Sequence, residues 1–374
     1  MRRCITRTCL VVALTVVLAP PASAQLTFTI TNQGGATPQM MTGFAEAAAL
    51  WSARLNDPVT INIRIHAAAL PVGQIAGTNS FYDPYTYANV RAAMVADQRS
   101  ADDLTSSNAL QAGPAFSMLI NRTANNPNGV VSPTPYFDTG LGGAGQAGPE
   151  NNNTVRITSA NAKALGLYPA NAPGLDGTIT FSTLQGYDFD RSNGINASQV
   201  DFVGVAAHEI GHLLGFIGGI ETLAGNGTAP GLNDNQLKFV TPLDLFRFST
   251  RSTGAGGGVG VIDWTADNTA KYFSADGGLT SVAPMANGAT FGDGHEAHHW
   301  KNSGTPLGIM DPTAAPGELL MISDTDLRGF DVIGYDLTPV PEPSSCLLVG
   351  LAGLGLARLR RGRRGRATAS STCP

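Results

Sequence analysis

The chain has 374 residues, 43% hydrophobic and only 14% charged, with 45 glycines, 23 prolines and a formal net charge of −5. That apolar share is enough for a packed core and excludes a disordered acidic tail, while the length admits one large domain or two. No repeat of fixed period runs through it, which excludes a solenoid.

Residues 1–24 open with Arg2, Arg3 and Arg7, continue as an apolar run over 10–18 and close on Ala22-Ser23-Ala24. Basic, apolar and small residues in that order read as a secretory signal cut after Ala24. Apolar periodicity then predicts a strand over 26–30, a helix over 44–54, an alternating strand over 59–65 and a helix over 87–97. A glycine-rich run over 140–148 reads as loop, and strands return over 155–158 and 178–183. The 188–194 segment alternates oxygen donors toward a glycine, as calcium loops do, with Asp188 and Asp190 as candidate Ca²⁺ ligands. It lacks the distal glutamate of such a loop, which favours a plain turn.

The most informative stretch follows. Ser198 with Asp201 three residues on reads as a capping box that starts a helix. At helical spacing, Phe202, Val203, Ala206, Ile210, Leu213 and Leu214 share one face, and His208 and His212 lie on the other. The helix thus buries its apolar side and offers two imidazoles to a cleft. His208-Glu209-Ile210-Gly211-His212 places those imidazoles one turn apart, close enough to ligate one Zn²⁺. Glu209 flanks them, where a carboxylate takes a proton from water activated by the metal and later hands it to a leaving amine.

A zinc hydrolase site usually has three protein ligands and one open position. His66 ends a predicted strand and reads as structural. His295, His298 and His299 crowd into residues 294–300, shortly before Gly308-Ile309-Met310-Asp311-Pro312, and Glu221 follows His212 by nine residues. Spacing alone leaves His298, His299 and Glu221 open. The 242–247 segment reads as a short buried element in which Asp244 orients a ligand from behind, and Ser323 with Asp326 caps a closing helix that runs toward Gly334.

The end of the chain carries Pro341-Glu342-Pro343, twelve apolar residues over 346–357, then Arg358, Arg360, Arg361, Arg363, Arg364 and Arg366. That run is short of the ~20 residues that span a bilayer unaided, so it predicts transient membrane association rather than a permanent anchor. All four cysteines (Cys4, Cys9, Cys346 and Cys373) lie in the two ends, so residues 25–337 have no disulfide and rely on core burial or bound metal. No cysteine thiolate is present there to hold a metal latent. Setting aside three leader and six tail arginines from 23 basic residues leaves 14, and setting aside Glu342 from 28 acidic residues leaves 27. A body near −13 repels phosphate backbones, which argues against nucleic-acid binding.

The triplet, apolar segment and arginine cluster resemble the PEP-CTERM sorting tail of exopolysaccharide-producing Gram-negative bacteria. That resemblance implies an exosortase-type enzyme that processes the tail, with export through the periplasm to the cell surface or matrix. A second resemblance rests on His208 to Phe216 (HEIGHLLGF), the His299-Trp300 pair and Gly308 to Pro312 (GIMDP). These are similar to the leishmanolysin-type branch of the metzincin zinc proteases and to bacterial PEP-CTERM metalloproteases. The metzincin pattern HExxHxxGxxH fits through Gly215 but ends here on Gly218, which has no side chain. By resemblance, His299 becomes the third zinc ligand, Met310 the apolar floor beneath the metal, and the 178–183 strand the edge that pairs with an extended substrate.

These readings predict a leader over 1–24, a catalytic body over 25–337 with two subdomains split near 217, and a sorting tail over 338–374. The expected body is a monomeric α+β zincin, with a mixed sheet and active-site helix above a more irregular C-terminal half. The expected function is an exported zinc endopeptidase acting on protein or peptide. The alternative is a surface or matrix binding protein on the same scaffold, against which Glu209 argues, because metal binding alone does not need that carboxylate. A small-molecule metal hydrolase would instead require a narrow closed pocket.

Overall fold

Ile61, Ile63 and Ile65 alternate with partly exposed neighbours along the strand Thr60–Ala68 and are fully buried, the period-2 pattern of a strand with one face on a core. This strand lies inside a four-stranded mixed sheet in a computed structural model that describes residues 25–139, 150–254 and 256–339. The opening strand Thr27–Gly34 pairs parallel on one side of it, and Gly177–Ser182 pairs parallel on the other. A short strand, Ala76–Ser80, closes the sheet antiparallel to Gly177–Ser182.

That order corrects one expectation. The strand predicted over 178–183 is interior, flanked on both sides, so its backbone groups are consumed by the ladder. The free edge beside the cleft belongs to Ala76–Ser80, whose sequence AGTNS has too little hydrophobic alternation to announce a strand. Tertiary pairing with Gly177–Ser182 makes it one.

The helix Pro38–Ser52 starts earlier than predicted. Thr37 caps it by accepting the Met40 N–H, and Pro38 stands where its missing N–H costs nothing. Its buried face packs on the helix Phe202–Leu213, and Trp51 Nε1 donates to Ala207 O at 2.9 Å. Phe44, Phe181 and Phe202 pack between sheet and helices, the first pair edge-on and the second tilted, with centroid separations of 6.0 and 4.7 Å.

The helix Phe202–Leu213 begins three residues later than the Ser198 box suggested. Asp201 is itself the cap: one carboxylate oxygen accepts the Gly204 N–H, and the other accepts the Leu320 N–H and pairs with Arg191 at 3.2 Å. The helix ends at Gly215, whose φ of +116° suits only glycine and turns the chain into Phe216.

Beyond Phe216 the elements are short, as expected for the second half: the helix Glu221–Gly225, 3₁₀ turns and strands of two or three residues precede the closing helix. Strands Arg247–Phe248, Lys271–Phe273 and Ala283–Met285 form one small sheet. Ile262–Trp264 joins Met118–Ile120 and Tyr136–Asp138 in another. The closing helix Asp324–Val332 starts at the expected cap, Ser323, with Asp326 completing the box. Several sheets and eight α-helices among the described residues make this an α+β protein.

The described residues through Asp336 form one unit, and a second unit starts at Leu337. The predicted leader, the 140–148 loop and nearly all of the tail lie outside the described residues. Among the described residues no helix is long and apolar enough to cross a membrane.

Candidate metal centre and cleft

His208 and His212 project from one side of the site helix, as a four-residue spacing requires, and their Nε2 atoms lie 2.9 Å apart. His299 arrives on the loop before Trp300, and its Nε2 is 3.1 Å from that of His212 and 3.3 Å from that of His208. Each ring's other nitrogen meets a backbone carbonyl: His208 Nδ1 faces Ile309 O at 2.6 Å, His212 Nδ1 faces Phe216 O at 2.8 Å and His299 Nδ1 faces Glu296 O at 3.2 Å. A carbonyl only accepts, so each Nδ1 carries the hydrogen and each Nε2 presents a lone pair. Three lone pairs converging on one point cannot bond to one another; a cation between them satisfies all three.

The donor set fits Zn²⁺. Zinc–nitrogen bonds of about 2.0–2.1 Å in a tetrahedron separate their ligands by about 3.3 Å, close to the spacing seen. Burial, and then the neighbouring rings, hold His212 and His299 well below the usual imidazole range, and burial takes His208 down to about 4. All three are therefore neutral near pH 7, the form that binds metal.

Of the other candidates, His298 belongs to a second group, with Glu296 and His299, whose ligand atoms all lie within 4.8 Å of one another. Glu221 accepts the Ala297 N–H at 2.9 Å and the Ala289 N–H at 3.2 Å, so it braces the loop that carries His299 rather than joining the cluster. His298 lines the cleft, but its Nε2 faces Glu296 at 3.6 Å. His295 Nε2 neighbours Asn302, and His66 Nδ1 neighbours Gly34 O. Gly218, where the metzincin pattern ends in histidine, has no room for a side chain: a Cβ there would stand 2.9 Å from Asp244 Oδ1 and 3.2 Å from His298 Cβ.

Met310 is fully buried against the site helix, and a Cβ on Gly211 would stand 2.4 Å from its sulfur. The glycine inside HEIGH thus makes room for the methionine. Asp244 does not reach a ring. Its carboxylate accepts the Gly219 and Thr241 N–H groups at 2.8 and 2.9 Å, shaping the turn after the helix, while backbone carbonyls orient the histidines. Burial raises its pKa to about 6.

Asp326 is the residue whose role the sequence reading missed. Its Oδ1 accepts Trp300 Nε1–H at 2.7 Å and the Met310 N–H at 3.1 Å, and its Oδ2 accepts the Ile309 and Ser323 N–H groups, both at 2.7 Å. One fully buried carboxylate therefore ties the His299-Trp300 loop, the Met310 turn and the closing helix together. Its only local signal is the capping box, which says nothing of the two distant loops.

Glu209 lies beside the histidines with its Oε2 2.6 Å from Thr78 Oγ1. Burial pushes its carboxyl up to about 7 against the opposing effect of that hydrogen bond. The cleft in front of it, about 800 Å³, runs between the edge strand Ala76–Ser80 and residues 309–314, with His208, His212 and His299 at its floor. It is partly enclosed, neither a sealed cavity nor a flat surface.

Asp188 and Asp190 stand apart from this site. Asp188 accepts the Asp190 and Asn196 N–H groups, and Asp190 accepts the Ser192 N–H and hydroxyl, the bonding of a turn. Among the described residues no third acidic or imidazole ligand gathers with them.

A family model, the PEP-CTERM protein-sorting motif, matches residues 339–364. The motif implies recognition by exosortase-type processing machinery, and export with sorting to the cell surface of a Gram-negative bacterium. No curated protein and no solved structure matches the chain.

Proposed function

We propose that the protein is an exported zinc-dependent endopeptidase that hydrolyses peptide bonds in protein or peptide substrates at the cell surface. The observation that carries this reading is the convergence of three proton-free Nε2 atoms within 3.3 Å beside a buried carboxylate in a partly enclosed cleft. His208, His212 and His299 are the residues that would hold Zn²⁺. Bound there, the ion supplies Lewis acidity that polarises a carbonyl and makes water more acidic.

The chain's own groups do the rest. Glu209 takes a proton from the attacking water and passes it to the leaving amine; Oε2 is occupied by Thr78, so Oε1 is the atom that carries it. A carboxyl near pKa 7 serves in both directions. The edge strand seats an extended peptide by main-chain pairing, which explains a substrate class defined by backbone rather than by one side chain. The carbonyls of Ile309, Phe216 and Glu296 keep the rings in place, and Met310 packs against Gly211 of the same helix.

The test uses the full-length protein, with bound zinc counted and cleavage of unfolded casein followed. The expected result is about one zinc per chain and a Glu209→Gln variant that retains zinc while turnover falls at least about 10³-fold. Turnover by that variant equal to the parent would remove the mechanism, and zinc binding unchanged by His299→Ala would remove the ligand set.

A further inference from the structure

Thr78 occupies a place that the proposed reaction does not by itself require. Cross-strand bonds run from the Ser182 N–H to Ile75 O and from the Phe81 N–H to Asp176 O, both at 2.8 Å. The register pairs Gly77 with Thr180, Thr78 with Ile179 and Asn79 with Thr178. In an antiparallel ladder, hydrogen-bonded pairs alternate with non-bonded ones. Ile75, Gly77, Asn79 and Phe81 therefore face inward, and the main-chain N–H and C=O of Thr78 face the free edge. Its side chain meanwhile reaches the site helix, with Oγ1 2.6 Å from Glu209 Oε2 and 2.9 Å from Glu209 O.

One residue thus presents its backbone to the groove where a peptide would pair and its hydroxyl to the carboxylate that would move the proton. The remaining freedom of a glutamate is rotation about its side-chain bonds, and a bond to one oxygen removes most of it. Glu209 has no side-chain hydrogen-bond donor other than Thr78 among the bonds of the described residues. The contact is also unlike an ordinary strand-to-helix brace: the hydroxyl has one hydrogen, and the nearer of its two acceptors is Oε2, on the side chain that does the chemistry, rather than the backbone oxygen.

We infer that Thr78 is a positioning residue: its hydroxyl fixes Oε2 of Glu209, leaves Oε1 turned to the reacting water, and ties that orientation to the strand that seats the peptide. This rests on the endopeptidase reading. The juxtaposition is local to one side chain, so it can be removed without disturbing the metal ligands.

The experiment compares Thr78→Val, which keeps the shape and loses the hydroxyl, with Thr78→Ser, which restores it, and Thr78→Ala as a second truncation in the full-length protein. The expected result for Val and Ala is a kcat lower by about tenfold or more, with KM within about twofold and zinc content unchanged; Ser recovers most of the loss. A second readout needs neither zinc nor substrate. The infrared carboxylate band of Glu209, isolated as the difference between the parent and Glu209→Gln in metal-free protein, shifts in Thr78→Val and returns in Thr78→Ser.

A Thr78→Val enzyme with parental kcat, a loss that Ser does not recover, or an unshifted band overturns the inference. Should Val fail to fold, the Ala and Ser arms and the band decide in the same way. Failure of the broader reading looks different: Glu209→Gln then retains turnover, while the band still reports whether Thr78 holds the carboxylate.

Discussion

In the four-stranded sheet, buried isoleucines on Thr60–Ala68 pack on helices while ladder hydrogen bonds satisfy the backbone. Beyond Phe216 regular elements are few, and turn bonds share the backbone's satisfaction with polar side chains. Asp326 gathers two loops and a helix end. Asp263 accepts the Thr265 N–H and hydroxyl and the Ser249 hydroxyl, while Arg247 donates to Asp263 O and Ala286 O at 2.8 and 3.2 Å. Asp267 pairs with Lys271 and Arg251 at 2.5 and 2.6 Å. The body has no cysteine, so polar hubs do in the second region what ladders do in the first.

The comparison teaches where single residues matter. In the sheet, stability is spread over many equivalent contacts. In the irregular region, one carboxylate answers for several backbone groups that have no other partner, and its loss strands them all.

Asp326→Ala is the strongest way to break this contrast. It leaves three buried N–H donors and a part-buried fourth unpaired, the buried ones costing about 1–3 kcal/mol each, so a loss of about 5 kcal/mol is expected, comparable with the whole stability of many domains. Denaturant unfolding and zinc titration should show a destabilised protein that binds zinc poorly, since Trp300 and Met310 lose their common anchor. Ile63→Ala in the sheet is expected to cost about 3 kcal/mol by cavity formation and to leave zinc affinity within about threefold. Equal losses of zinc affinity in the two variants would erase the distinction.

The smallest effect tests where the segment after the closing helix returns to the first region. Asp57 is buried and accepts the Asp336 N–H at 3.2 Å, and burial, then the neighbouring carboxylates of Asp336 and Asp97, raises its pKa to about 8. The folded state therefore holds a proton that the unfolded chain releases above about pH 4. Stability from this group rises as pH falls from about 8 toward 4, and the cost of ionising it is complete above 8. Asp57→Asn should raise the Tm by about 3 °C at pH 8 and by much less at pH 4.5, flattening the profile. A variant whose Tm changes equally at both values would show that Asp57 is not the titrating group.

Much of the first region was legible because its signals are local. Alternation marked Thr60–Ala68, and the Ser323 box marked the closing helix at its true start. The Ser198 box misplaced the site helix by three residues, since Asp201 was already the better cap, held by Arg191 and Leu320. The edge strand was assigned to residues 178–183 rather than Ala76–Ser80, because AGTNS carries no hydrophobic pattern and becomes a strand only through its neighbour.

The sequence by itself determined that His208 and His212 share one side of a helix with Glu209 beside them, because helical pitch turns a four-residue spacing into spatial proximity. It also determined the sorting motif, which is linear by nature. Spacing left His299, His298 and Glu221 open and only resemblance pointed to His299; the tertiary structure brings His299 to the other two rings, and it alone decided that Thr78 meets Glu209 and that Asp326 holds both distant loops. Those contacts join residues from 17 to 131 positions apart. Spacing along a chain carries no information about such distances until packing and the demand that every buried polar group find a partner select one arrangement.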